Sequence, residues 1–344
     1  MPLGVSAAVV NGALVRGDVD VGDGVVHEVG LPGGGSGIAI PGLVDLQVNG
    51  YAGIDVLAAE PGELVEMGRA LARDGVLWYQ PTLVTAAADD TRGALTSIGQ
   101  ATSLGGPARI IGAHLEGPFL SPLRAGAHPA SLLRDPDLDL MASFLVSGCP
   151  VTTVTLAPEL DEADEVIEAL AGRGILVSLG HTDAVAAAAH AGFDLGARAV
   201  THIFNAMRPF GHRDPGTAGA ALAREDVTVM LIADGVHVAV DAILTAWRAA
   251  RGRLVLVSDT IAAAGLGEGS FRFGTAEVEV RGGTSRLPDG TLAGAVRPLA
   301  WGLRYLVELG VPIPEAVDAV TRTPAALVGH PVAGRLEPGG AADL

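Results

Sequence analysis

The sequence predicts an α/β fold, a (β/α)8 TIM-like barrel preceded by a small β domain, and three observations predict it. From Leu43 onward, short apolar runs alternate with Ala- and Leu-rich helical stretches, the pattern of parallel βα units. Eight such runs can be counted. Nearly every one leads into a polar residue able to do chemistry, as in a barrel whose site gathers at the C-terminal ends of its strands. Ahead of them, Ala7 to Val29 alternates Val-rich runs with Gly and Asp, which reads as antiparallel strands joined by tight turns.

Taken in order, the small domain ends near residue 41, after a Gly33 to Gly37 stretch with the composition of a linker. The barrel strands are expected to begin at Leu43-Val44, Val76-Leu77, Ile110-Ile111, Val151 to Val154, Ile175 to Val177, Ala199-Val200, Val227 to Met230 and Leu254 to Val257. Helices are expected between them, for example over Glu63 to Asp74, Asp161 to Gly172, Ala184 to Ala191 and Ala239 to Arg251. A doubly wound sheet would instead need a Gly-rich phosphate turn after its first strand, and Gly50-Tyr51-Ala52-Gly53 fits that fingerprint poorly.

Composition narrows the chemistry. The chain has 344 residues, 49% of them apolar, enough for a large buried core. No apolar run approaches the roughly 18 residues of a membrane span. The start, Met1-Pro2-Leu3-Gly4-Val5, lacks the basic and long apolar regions of a signal peptide, so a cytoplasmic protein is expected. A net charge of −17 disfavours nucleic acid and anionic membranes as partners, and an anionic substrate would need a local cationic pocket. The single cysteine, Cys149, excludes an internal disulfide and any cysteine-rich metal site. There is no lysine: all 22 basic residues are Arg. That excludes Schiff-base chemistry, a P-loop lysine and a carbamylated lysine bridging two metals.

The strand ends carry the candidate site. Glu116 closes the third strand in His114-Leu115-Glu116-Gly117-Pro118-Phe119, where Gly and Pro stop the strand and leave the carboxylate at the barrel mouth. His181 and His202 close the fifth and sixth strands. Singly, each reads as a loop or structural residue. Together they match the His2Glu donor set of a catalytic zinc with one open position for water. Asp259, just past the eighth strand, is placed to accept a proton from the activated water and pass it to a leaving amine, with capping of the next helix as the competing reading.

Beyond these four residues the chain resembles a known family over Pro41 to its end. Pro41 to Gly50, His114 to Phe119, Gly126-Ala127-His128-Pro129, Gly180 to Asp183, Thr201 to Met207, Asp234-Gly235-Val236-His237 and Ser258-Asp259 occur in the order found in the N-acetylglucosamine-6-phosphate deacetylases of the amidohydrolase superfamily. The resemblance implies one divalent metal per chain, zinc first with Fe2+, Mn2+ or Co2+ as alternatives, held by Glu116, His181 and His202. It implies Asp259 as general base and then acid, His128 as the group polarising the acetamide carbonyl, and His237 with the Asn205-Ala206 backbone at the sugar phosphate. Arg213 matches the family's phosphate-binding arginine, which in some members reaches across a dimer, so a homodimer is expected. A guanidinium suits a phosphate dianion, and without lysine Arg is the main candidate.

The implied activity is hydrolysis of N-acetylglucosamine 6-phosphate to glucosamine 6-phosphate and acetate in amino-sugar catabolism. The alternatives are the same reaction on N-acetylgalactosamine 6-phosphate, or another mononuclear amidohydrolase. The resemblance also gives the small domain as a β-sandwich of the N- and C-terminal segments, residues 1–41 with 333–344, leaving 42–332 to the barrel. Three positions depart from the family. Gln47-Val48-Asn49 stands where most amidohydrolases carry His-x-His; amides are poor metal ligands, so a second metal is not expected, and Gln47 and Asn49 are assigned to the substrate side. Ala295-Val296-Arg297-Pro298-Leu299 replaces a serine and a Leu-Thr-Met segment and is expected to alter the pocket rim. The sequence ends at Gly340-Ala341-Ala342-Asp343-Leu344 where the family continues into a strand returning to the small domain, which is therefore expected to be less stable.

Overall fold

A computed structural model describes residues 1–33 and 35–344; Gly34, inside the expected Gly33 to Gly37 linker, lies outside the described residues. Among the described residues, eight parallel strands form the barrel: Leu43–Val48, Val76–Val84, Ala113–Glu116, Val151–Leu156, Leu176–Leu179, Ala199–Val200, Thr228–Leu231 and Leu254–Leu256. Each pairs with its sequence neighbour. The ring closes where the chain beyond the eighth strand meets the first, through Asp259 N–H to the Gln47 carbonyl (3.0 Å) and Asn49 N–H to the Thr260 carbonyl (2.8 Å). That closure puts Asp259 beside Gln47 and Asn49.

The third strand starts where expected, near Ile110, but in two pieces. Arg109–Ile110 pairs in parallel with Trp78 and Tyr79 of the second strand, and after a one-residue register break at Gly112, where φ is 147°, Ala113–Glu116 continues along the same strand from Thr82 to Val84. A Cβ at Gly112 would lie 2.8 Å from the Pro150 carbonyl, so the register break needs glycine.

The helices form an outer layer, held by apolar stripes. The helix Pro61–Arg73 begins with proline in its first turn and a Glu60–Glu63 capping box. It buries Leu64, Met67 and Leu71, spaced to share one face, in the same apolar cluster as Val76, Tyr79 and Leu83 of the second strand. Inside the barrel one side is apolar, with Val44, Leu46, Met230 and Val255. The other side is a buried polar chain: His114 Nε2 meets Thr155 Oγ1 at 2.8 Å, and Thr155 and Ser178 meet Thr201 Oγ1 at 2.7 and 2.6 Å. Burial pushes the His114 imidazole down to about 4, so it stays neutral. These partnered polar groups form a rigid floor under the strand ends.

At the N-terminus, Ala7–Val10 pairs with Ala13–Arg16 and Ile38–Ala39, and Asp18–Gly22 with Val25–Leu31. Ala8, Val19, Val26 and Ala39 share a small core with Leu336, and Val26 N–H donates to the Gly340 carbonyl at 2.9 Å. A three-stranded antiparallel sheet, Gly269–Phe273, Ala276–Arg281 and Thr284–Arg286, follows the eighth barrel strand and is absent from the sequence-based expectation. Gly274 N–H donates to the Asp55 carboxylate at 2.7 Å and pins this sheet over the barrel mouth. Among the described residues no helix is long and apolar enough to cross a membrane.

Candidate active site

The barrel brings Glu116, His128, His181, His202 and Asp259 together, all of them buried. Glu116 is the last residue of its strand. His181, His202 and Asp259 come just after theirs, and all three sit at positive φ, +47°, +27° and +52°. L-residues avoid this region at a cost of about 1–3 kcal/mol each, and such strain persists only where the surroundings enforce it. Here the left-handed turn swings each side chain from the strand line into the mouth.

Three donor atoms form a nearly equilateral triangle. Glu116 Oε1 lies 3.3 Å from His181 Nε2 and 2.9 Å from His202 Nε2, and the two nitrogens are 3.2 Å apart. A tetrahedral ion with bonds of about 2.0–2.1 Å separates its ligands by about 3.3 Å, so the triangle fits one face of such a site. Glu116, His128 and His181 also lie within 4.8 Å of one another, which offers a different triad. Hydrogen bonding separates the two. His181 Nδ1 faces the Arg124 carbonyl at 2.9 Å and so carries its proton there, leaving Nε2 a free lone pair. His128 Nδ1 accepts the Thr85 backbone N–H at 3.1 Å, which puts the ring proton on Nε2. That Nε2–H points towards Glu116 Oε2, 3.7 Å away, and is a donor with no lone pair for a metal. Glu116, His181 and His202 are therefore the set that could hold a divalent ion.

Electrostatics point the same way. Burial alone would raise the Glu116 carboxyl, but the imidazoles of His128, His181 and His202 hold it well below its usual range. Burial and the Glu116 charge push Asp259 up to about 6. His202 is raised, because Glu116 and then Asp259 outweigh the desolvation that would lower it. His128 is pushed down to about 4 by burial and by His181. Two carboxylates and one imidazole drawn towards its charged form, all in one buried spot, describe a site that wants a cation.

Gln47 and Asn49 lie beneath the cavity. Gln47 Nε2 donates to Glu116 Oε1 at 3.0 Å, and Asn49 Nδ2 donates to Asp259 Oδ1 at 2.7 Å. The amides orient the two carboxylates, and Gln47 Oε1 and Asn49 Oδ1 are left buried without a partner among the described residues. A cavity of about 260 Å3 opens above, and Asn205, Ala206 and His237 line it on one side. Phe273, Thr291 and Leu292 line it on the other. Sequence reasoning missed these three. The alternation Ala276-Glu277-Val278-Glu279-Val280 before Gly282-Gly283 was the available hairpin signal. Arg213 is exposed on the loop after Phe210 and does not line the cavity of the single chain. Between it and the site runs an ion-pair chain: Asp183 takes Arg124 at 2.6 Å and Arg208 at 2.8 Å, and Arg208 also binds Asp214 at 2.8 Å.

The sequence profile of the amidohydrolase family matches residues 38–344. The chain belongs to the amidohydrolase family. Among this amidohydrolase's relatives, the N-acetylglucosamine-6-phosphate deacetylase of Homo sapiens is 40% identical over 310 residues, 86% of this chain and 75% of the relative. The N-acetylgalactosamine-6-phosphate deacetylase of Escherichia coli O157:H7 is 37% identical over 303 residues, 87% of this chain and 80% of the relative. In structure, a variant of the Mycobacterium smegmatis N-acetyl-D-glucosamine-6-phosphate deacetylase, solved with N-acetyl-D-glucosamine 6-phosphate, superposes with a TM-score of 0.91 at 33% identity. That match covers 99% of this chain and 93% of the other. The chain is thus an amide hydrolase of the amidohydrolase family whose Glu/His cluster could bind a divalent metal.

Proposed function

We infer that this amidohydrolase removes the acetyl group from N-acetyl-D-glucosamine 6-phosphate, giving glucosamine 6-phosphate and acetate. The observation that carries the reading is the donor triangle of Glu116, His181 and His202 with a buried carboxylate, Asp259, raised towards neutrality beside it. Bound there, a divalent ion, zinc by its fit to a His2Glu set, supplies an activated water and Lewis acidity. His128 donates its Nε2–H to the acetamide oxygen as negative charge builds there. Asp259 takes a proton from the attacking water and delivers it to the sugar nitrogen as the C–N bond breaks, so acetate leaves and the amine is released. Asn49 holds Asp259 in position for both transfers.

His237 and the Asn205-Ala206 backbone receive the phosphate, and Gln47 and Asn49 complete the substrate side from below. Arg213 supplies the missing cation from a second copy in a homodimer, which its exposed position supports. The reading assigns the enzyme to cytoplasmic amino-sugar catabolism. A second substrate is favoured by one observation: the galactosamine-phosphate relative is nearly as similar, at 37%, as the human glucosamine-phosphate enzyme at 40%. Acetate release from the two epimeric 6-phosphates, measured side by side, tests both. Turnover of neither overturns the proposal, and a large preference for the galactosamine epimer replaces it with the second reading.

A further inference from the structure

We infer that Arg297 is a positioning residue that sets the turn carrying His237 and so controls binding of the substrate's phosphate; this rests on the phosphate role proposed for His237. Asp234 grips that turn with its carboxylate. Its oxygens accept the Val236 and His237 backbone N–H groups, each at 2.9 Å, and His237 Nδ1 at 2.8 Å. The bond fixes the Nδ1–H, so Nε2 is the nitrogen left for the cavity that His237 lines.

The other end of the same residue is held by Arg297, whose Nη1 donates to the Asp234 carbonyl. The guanidinium carbon sits over the Trp301 indole, 4.0 Å from its centroid, and Tyr305 packs against that ring at 4.8 Å. The turn sits directly on this platform. At its apex Gly235 has φ +73°, and a Cβ there would lie 3.3 Å from both Arg297 Nη1 and Trp301 Cη2. Glycine lets the backbone approach the cation this closely. Among the described residues Arg297 forms no ion pair, and its one hydrogen bond goes to the turn. Arg297 also belongs to the segment at which the family resemblance breaks.

Losing the guanidinium frees the Asp234 carbonyl and removes the surface under Gly235, while the Asp234–His237 pair stays intact. The turn can then pivot as a unit and carry His237 off the phosphate. The test compares wild type, Arg297→Ala, Arg297→Lys, His237→Asn and the double variant Arg297→Ala/His237→Asn. Substrates are N-acetylglucosamine 6-phosphate and unphosphorylated N-acetylglucosamine. Arg297→Ala is expected to raise KM for the phosphorylated sugar by about tenfold, the scale of one charged hydrogen bond, with kcat within about twofold and KM for the unphosphorylated sugar unchanged. Arg297→Lys, which keeps a cationic donor but not the guanidinium over the indole, recovers part of the loss. The double variant is no worse than His237→Asn alone, because both act at one contact.

Equal losses on both substrates, or a fall in kcat at constant KM, overturn the positioning role. If His237→Asn leaves KM for the phosphorylated sugar unchanged, the phosphate assignment of His237 fails. If His237→Asn raises that KM and Arg297→Ala does not, the assignment stands and the positioning role falls. Should Arg297→Ala not fold, Trp301→Phe, which shrinks the platform and leaves the cation, must show the same KM-selective pattern.

Discussion

Replacing Asp259 with asparagine removes one function and little else. The backbone at 259 is fixed on both sides, by its N–H to the Gln47 carbonyl at 3.0 Å and by its carbonyl, which accepts the Ala295 N–H at 2.8 Å. The side chain accepts Asn49 Nδ2 at 2.7 Å, and an asparagine oxygen can take the same bond. Burial already opposes ionisation of this carboxyl, raising it to about 6, so a neutral amide is no burden on the fold. The amide cannot accept a proton from water or return one to the sugar nitrogen. General acid/base groups contribute about 10² to 10⁴ in rate, and Asp259 is assigned both transfers, so turnover should fall at least about a hundredfold, near 2.7 kcal/mol of barrier. Acetate release under saturating substrate gives kcat, elemental analysis the bound metal, and a thermal melt the fold. Metal content and melting should stay close to wild type. A variant with intact fold and metal that releases acetate at near-normal rate would refute the assignment.

Arg213→Ala should raise KM strongly for the phosphorylated sugar and hardly for the unphosphorylated one, since only the former offers a dianion; equal losses on both would remove Arg213 from the phosphate site. If the residue acts across a dimer, mixing Arg213→Ala with Asp259→Asn should restore part of the activity, and no recovery in a confirmed mixed dimer argues for action within one chain. Treatment with a chelator should abolish turnover, and one equivalent of divalent metal per chain should restore it; recovery that needs two equivalents contradicts a single-ion site. Asp45, buried with Oδ2 unpartnered among the described residues, has its carboxyl pushed by burial from an ordinary 3.8 to about 7. Its contribution to stability is therefore present below about pH 4 and lost as pH rises through about 7, worth about 4 kcal/mol at about 1.4 kcal/mol per pH unit. Asp45→Asn keeps the acceptor for Ser258 N–H, so urea melts should show its stability relative to wild type growing from pH 5 to pH 8; a constant difference excludes the raised carboxyl.

All eight strands and their order were legible because parallel strands buried on both faces leave continuous apolar runs, and a barrel needs a polar residue where each run stops. Glu116, His181, His202 and Asp259 were found by that rule. Their backbone was not: nothing in a histidine or aspartate announces φ near +50°, a conformation imposed by the neighbouring strands. The sheet from Gly269 to Arg286 escaped notice because its pattern is short and half exposed, so it buries too little to stand out from a loop. Gln47 and Asn49 were seen as amides in place of imidazoles, but which carboxylate each would hold depends on ring closure between the first and eighth strands. Arg297 could not be placed at all, since its partners, a backbone carbonyl and an indole face, carry no sequence signature.

Those two amides bear on how many ions the site can hold. Each spends its N–H on a carboxylate, Gln47 on Glu116 and Asn49 on Asp259, so each is a donor directed at an anion. The lone pairs that remain belong to neutral carbonyl oxygens, which suit hard cations and bind imidazole-type metals weakly. Charge gives the same answer. The buried set contains two carboxylates, Glu116 and Asp259, and His181 and His202 would ligate a bound ion through the lone pairs of neutral rings. One divalent ion balances the two negative charges. A second would leave two positive charges uncompensated in a buried pocket, without a lysine anywhere in the chain to be carbamylated into a bridging anion. Replacing Gln47 and Asn49 together with histidine would remove both amide donors and add two neutral nitrogen ligands. That change should raise affinity for a second ion while loosening Glu116 and Asp259, so metal content and turnover should move in opposite directions.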